Sequence, residues 1–455
     1  MNGKRPWITA ALSGVGATLL LTTGVLAAPP VSSPLTDEEQ LGKALFFDNI
    51  SAPSRSMACS ECHDPTVGWT GRVAGINLHG AVYRGAQRTR FGNRKPPSSA
   101  YASFSPVFHY DATAEEFVGG NFWDGRATGE RLGSPTAEQA LGPFLNPVEQ
   151  NMPSKQSVCE HVARSKYAGL FERVWGTGSL DCTADEIDRT YDRFGLAIAA
   201  YEGSAEVNPF SSKFDAYWRS CIAAGNSEEA CGLATDLKAT LDPEMILSEM
   251  EFDGLIEFGE YCAACHISHQ FGPGGTPPLF TDNRFDNIGV PKNLANPFYR
   301  MDRVYLDDGT PINPDGADWI DHGLGDFLRT RPEWALLAEQ NDGKFRTPTL
   351  RNVDLRPGQA FPKAYMHNGV FKSLEEVVSF YNTRDVLPRC GPAESRKDWG
   401  TVCWPAPEVD RNLNDELFEG LPIGNFELDA DDEAAVVAFL KTLSDGYQTK
   451  PDRKR

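Results

Sequence analysis

An excess of positive charge is missing from this chain. Lysine and arginine total 43 against 63 aspartates and glutamates, a formal charge of -20 over 455 residues. A surface of that sign repels polyanions instead of displacing their counterions, which argues against nucleic acid as a partner. Any steering by charge favours basic or neutral partners. Beyond residue 28 there is also no apolar run long enough to cross a bilayer. Sequence alternating apolar with polar residues is scarce, whereas helical spacing recurs between long loops rich in Gly, Pro and Asn. The expected fold is therefore mainly α, with little β.

The one long apolar run opens the chain. Residues 1–33, "MNGKRPWITAALSGVGATLLLTTGVLAAPPVSS", combine a Lys4-Arg5 head, a weakly apolar stretch and small residues at Val25, Ala27 and Ala28. That is the layout of a secretory signal over 1–28, and it predicts a periplasmic protein. The span from Trp7 to Ala28 is also just long enough for a retained anchor. Of ten cysteines, six lie in sequence-near pairs, Cys159 with Cys182, Cys221 with Cys231 and Cys390 with Cys403. In an exported chain these are expected to form three disulfides.

The other four stand in "CSECH" (59–63) and "CAACH" (262–266), about two hundred residues apart. Each follows helix-compatible sequence, "DEEQLGKALFFD" and "LSEMEFDGLIEFGEYC". Cys-x-x-Cys-His is the attachment signal of c-type haem: the thiols become thioethers and the histidine binds iron. A single copy would also suit a zinc or redox cysteine pair, but two exported copies favour two covalent haems. Cys59, Cys62, Cys262 and Cys265 then hold the haems, with His63 and His266 as proximal ligands. Two cytochrome c-like domains are expected, over 34–245 and 246–455. What fills the second face of each iron decides function.

From residue 36 to 445 the chain resembles the bacterial diheme cytochrome c peroxidase family, which includes the MauG-type enzymes. Beside the two haem signals the resemblance rests on "NFWDGRATG" (121–129), "EQALGPFLNPVE" (138–149), "FRTPTLRNV" (345–353) and "YMHNGVFKSLEEVVSFYN" (365–382). It implies that Trp123 lies between the haems and couples them, and that Gln139 and Glu149 stand over the open face of the N-terminal haem. A carboxylate there takes a proton from peroxide and returns it to the leaving oxygen. The family's second ligand to the C-terminal iron lies fourteen residues after His367, at Tyr381. Classical members carry methionine there, so tyrosine implies the MauG-type arrangement. In those enzymes peroxide oxidises the haem pair, which then takes electrons from a tryptophan on a separate protein. Met366 is the rival ligand, and its position corresponds to a packing residue.

The resemblance also implies a Ca²⁺ between the haems, held by the Asn93 side chain and by backbone carbonyls at Pro362 and Ala364, although the chain reads "PKA" where Thr-x-Pro is usual. His79, sixteen residues after His63, falls where classical peroxidases carry a removable second ligand. The loop around it is longer than theirs, so His79 is either that ligand or a surface residue. His109, His161, His269 and His322 belong to no motif. Two other readings compete with MauG-like oxidation of a partner protein. One is a peroxidase drawing electrons from a small cytochrome c or cupredoxin; the other is a diheme electron carrier with both irons six-coordinate.

Overall fold

Helix α1 (Asp37–Phe46) starts where Thr36 accepts a hydrogen bond from the Glu39 amide and Glu39 bonds back, with three acids in the first turn. Similar caps open several other helices. Ser134 followed by Pro135 starts α3 (Pro135–Leu145), and Ser248 with Glu251 starts α9 (Glu249–Tyr261). Ser373 starts α11 (Leu374–Thr383), and Asp429 with Asp432 starts α12 (Ala430–Lys441). The remaining helices are α2 (Ala74–Leu78), α4 (Lys155–Ala163), α5 (Ala168–Trp175), α6 (Ile187–Glu202), α7 (Lys213–Ala223), α8 (Glu228–Leu233) and α10 (Leu324–Arg329). This computed structural model describes residues 34–448 except 236, 238–245, 304, 307, 308, 310 and 415–421. The expected signal at 1–28 lies outside the described residues.

Strands are confined to two antiparallel ribbons, β1 (His109–Asp111) with β2 (Glu116–Val118) and β3 (Phe285–Asp286) with β4 (Phe345–Arg346). The fold is mainly α, as the spacing predicts. Among the described residues no helix is long and apolar enough to cross a membrane. The three disulfides join Cys159 to Cys182, Cys221 to Cys231 and Cys390 to Cys403.

Two large apolar cores form. One gathers α1, α3, α4, α5 and α6 and ends in sequence at Val207, with Leu279 added. The other begins with Phe214 on α7 and includes α9, α11 and α12. In each, the helix ahead of the haem signal crosses a later helix with the backbones touching. A Cβ at Gly42 would lie 1.8 Å from the Ala197 carbonyl oxygen, and one at Gly254 would lie 1.9 Å from that of Ala435. Only glycine permits either crossing. A smaller aromatic cluster with Phe108, Phe117 and Phe285 brings the two ribbons together.

Two buried arginines tie the halves. Arg351 pairs with Asp215 at 3.0 and 2.9 Å. Arg94 grips Asp321 at 2.8 and 2.7 Å and Asp124 at 2.5 Å. Gly254→Ala should cost roughly 3 kcal/mol, because helix backbones cannot yield as a side chain can. Gly169→Ala on α5, where an added methyl meets nothing within 4 Å, should be neutral or stabilising by up to about 1 kcal/mol. Thermal or denaturant unfolding of the two variants checks both.

Candidate active site between two haem cavities

α9 runs directly into Cys262, and the turn after it presents Cys265 and His266 to a cavity with about 1980 Å³ of atom-free space. Its walls are apolar, with Phe258, Val290, Leu350, Val378 and Leu440 among them. Tyr381, one turn from the end of α11, lines the same cavity, as do Met366 and His367. A second cavity, of about 1280 Å³, is lined by Cys59, Cys62, His63, Gln139 and Glu149. Trp123 lines both.

The histidines are alike in detail. Nδ1 of His63 stands 3.2 Å from the Trp69 carbonyl oxygen, and Nδ1 of His266 stands 3.0 Å from that of Phe280. A proton on Nδ1 leaves the Nε2 lone pair for a metal, the arrangement of a proximal haem ligand. Burial pushes both imidazoles down to about 4, so they are neutral at pH 7. The four cysteines of these segments stay outside the disulfides. Among the described residues only Cys265, Asp282 and Asp286 gather three metal-donor side chains. Neither segment therefore has the four donors of a structural zinc. Buried polar atoms without a protein partner also edge the cavities: Glu202 Oε2 in one, Tyr365 Oη and His367 Nε2 in the other. A bound group or its water would satisfy them. Apolar walls, thiol pairs and oriented imidazoles all fit haem.

Glu149 is set by the turn that ends α3. Pro143 has no N–H to give the Gln139 carbonyl, and the helix stops at Asn146. The Asn146 side-chain amide donates to Glu149 Oε2 at 2.6 Å. Burial raises the Glu149 carboxyl above its ordinary range, against the pull of Arg126 and Asn146. Arg126 lines this cavity, stacks on Phe122 at 3.8 Å and bonds Asp124 at 2.8 Å. Trp123 donates from Nε1 to the Lys95 carbonyl at 2.8 Å, and its own carbonyl accepts the Arg346 amide of β4 at 2.9 Å. The residue before it, Phe122, has φ 64°, a left-handed turn that a bulky residue adopts only under constraint.

These features recur in known proteins. Residues 36–221 match the family model described as di-haem cytochrome c peroxidase. The methylamine utilization protein MauG of Paracoccus denitrificans is 32% identical over 414 residues, covering 89% of this chain and 88% of that one. The chain belongs to the di-haem cytochrome c peroxidase family. Cytochrome c551 peroxidase of Nitrosomonas europaea is 29% identical, covering 82% of this chain and 84% of its own. The crystal structure of the diheme peroxidase BthA from Burkholderia thailandensis superposes with a TM-score of 0.64 at 29% identity, covering 91% of this chain and 87% of that one. The protein is thus a haem-dependent oxidoreductase with two c-type haems.

Not every expected residue meets the site. His79 follows α2, is exposed and lines neither cavity, and its carbonyl accepts the Lys372 ammonium at 2.8 Å. The structure places it on the surface, since the longer loop carries it away from the N-terminal cavity. Asn93 lines the N-terminal cavity and Ala364 the other, while the Pro362 carbonyl accepts the Asn77 side-chain amide at 3.1 Å. The cations nearby are lysines. Sequence reasoning passed over Glu202, read only as the end of a helical stretch. It is 3% exposed in the N-terminal cavity, and burial pushes it up to about 8.

Glu149→Gln should slow the reaction with peroxide by about 10²–10⁴-fold. In the wild type, a base with a raised pKa is deprotonated only above it. The rate should therefore fall as pH drops, at a pH above the ordinary carboxylate range, and the glutamine variant should lose that limb. Stopped-flow rates against pH check this.

Proposed function

We propose that the protein is exported and uses hydrogen peroxide to oxidise aromatic residues of a separate protein over a distance, with Trp123 relaying electrons between the haems. The observation that carries this reading is Tyr381, a phenol oxygen in the C-terminal cavity where an electron-accepting peroxidase would carry methionine. Similarity to the Paracoccus MauG supports it. So does the exposed His79, which leaves the N-terminal haem without that residue as a second ligand.

Haem iron, when bound, supplies the redox centre at which peroxide is reduced. Peroxide takes up two electrons and two protons and leaves as two waters; the donor protein gives up both. Glu149 holds the first peroxide proton at a carboxylate oxygen and returns it to the leaving oxygen. Asn146 keeps that carboxylate turned into the cavity, and Gln139 and Arg126 add polar contacts to the same space. Apolar walls exclude bulk water. Burial holds the Tyr381 phenol well above its ordinary pKa, helped by the nearby thiols. With ferric haem bound, Tyr381 would hold the iron as the phenolate, the metal's positive charge outweighing burial. A hard anionic ligand stabilises oxidised iron and makes the C-terminal haem a poor acceptor from a cytochrome c.

A second reading, peroxide removal with electrons from a small carrier, draws on the net charge of -20, which suits a basic cytochrome c. The two separate by experiment. The ferric protein should show a high-spin EPR signal that vanishes on adding stoichiometric peroxide without reductant. Two low-spin signals inert to peroxide until one electron is added would instead support the second reading. Tyr381→Met should raise the potential of the C-terminal haem and let a small cytochrome c donate to it. An unchanged potential would remove Tyr381 from the iron and turn attention to Met366.

A further inference from the structure

Three lysines cluster beside the two cavities: Lys95 lines both, Lys363 lines the C-terminal one, and half-buried Lys372 stands behind them. Lys363, 4% exposed, donates from Nζ to the carbonyls of Val67, Asn352 and Leu355 at 3.0, 3.1 and 2.9 Å. Lys372 donates to the carbonyls of Asn77, His79 and Gly369 at 2.8, 2.8 and 2.5 Å. Lys95 donates to Thr70 Oγ1 and the Pro96 carbonyl, both at 3.0 Å, and its side chain belongs to the wall that Trp123 shares with both cavities. Lys363 and Lys372 each face three carbonyls, one for every proton of an ammonium group, although burial works against that charge, pulling Lys363 well below its ordinary pKa and Lys95 and Lys372 down to about 8. The three feel one another: after burial, Lys372 is the main influence lowering Lys95, and Lys95 lowers Lys363.

This is where the family resemblance led us to expect calcium. A Ca²⁺ needs six to eight oxygens, usually including carboxylates. The carbonyls turned inward here already hold lysine protons, and the Pro362 oxygen holds the Asn77 amide. Among the described residues the ammonium groups of Lys95, Lys363 and Lys372 donate to backbone carbonyls and one hydroxyl, while Glu376 accepts the Lys372 backbone amide at 2.6 Å. A dication placed beside three ammonium groups would meet repulsion that the low-dielectric interior leaves poorly screened.

We propose that this protein works without calcium, because Lys95 in the wall shared by both cavities, backed by Lys363 and Lys372, takes the place of a fixed cation beside its two haems. The lysines do the dication's two jobs. They gather the loops 67–71, 77–80, 352–355 and 362–369 by their carbonyls, and they put positive charge beside Trp123. Unlike a bound ion, this charge cannot be removed by a chelator.

The holoprotein, purified with both haems, is exhaustively treated with EGTA, and its calcium content, ferric EPR spectrum, haem potentials and peroxide reaction are compared with untreated and calcium-supplemented protein. The expected result is substoichiometric calcium throughout and no change in spectrum, potential or rate. One tightly held calcium per chain, or a low-spin signal lost on chelation and restored by calcium, overturns the proposal. Lys95→Met removes one charge from the shared wall and should move the potentials of both haems downward, still with no response to calcium. Unmoved potentials would overturn the electrostatic part. If that variant does not fold, the metal content and chelation response of the wild type still decide. None of these readouts depends on which donor the enzyme oxidises.

Discussion

Trp123 can serve two cavities only if the wall it occupies does not move relative to either. That demand explains where the fold concentrates its buried charge. The residue after Trp123, Asp124, is gripped by Arg94, which also holds Asp321 from the other half of the chain. Burial alone would raise the Asp124 carboxyl; Arg126 and Arg94 overcome it and hold the group at about 2, ionised at any working pH. The Trp123 backbone is pinned by β4 and its indole by Lys95. Breaking such a network leaves a buried charge uncompensated, so it resists partial opening more than an apolar contact would. Rigidity at this wall keeps an electron-transfer distance constant.

The two cavities are built by one recipe and differ in what faces the metal. Each has a capped helix, a glycine crossing, two thiols and a histidine whose Nδ1 faces a carbonyl. In the N-terminal cavity the polar groups include Glu149 and Glu202, able to move protons, and Gln139 and Arg126, able to hydrogen-bond. In the C-terminal cavity Tyr381, Tyr365 and His367 stand among aliphatic and aromatic side chains, with charged groups such as Lys363, Asp286 and Asp321 also in the lining. One cavity suits chemistry on a small oxygen species. The other suits holding an oxidising equivalent away from water. His367 stacks on Phe345 at 3.5 Å and lies 6.4 Å from Trp123 by ring centroids, so the second cavity's aromatic lining continues into the shared wall.

Buried carboxyls and ammonium groups so close to the haem sites carry an electrostatic consequence. Burial holds Glu202 neutral at pH 7 and also draws Lys95 and Lys372 down to about 8, against the carbonyls that hold their protons. The shared wall thus carries both signs, Arg94 and Lys95 against Asp124 and Asp321.

Much of this was legible in the sequence because covalent attachment is written locally. Two thiols and an imidazole must stand at fixed spacing on one turn, so "CSECH" and "CAACH" name their own function. The capped amphipathic helices are equally local, and the family resemblance picks out Tyr381 by its distance from His367. Other features arise from residues far apart in the chain. Gly42 and Gly254 are ordinary helical glycines until Ala197 and Ala435 are brought against them. His79 has a plausible spacing, but only the path of its loop shows that it stays outside. Lys95, Lys363 and Lys372 read as surface charges, because nothing local reveals that carbonyls from four loops will surround them. Sequence alone determined which groups can bind haem, because that chemistry needs neighbours in the chain; tertiary structure decided which charges lie between the haems, because burial and long-range hydrogen bonding exist only once the chain has closed.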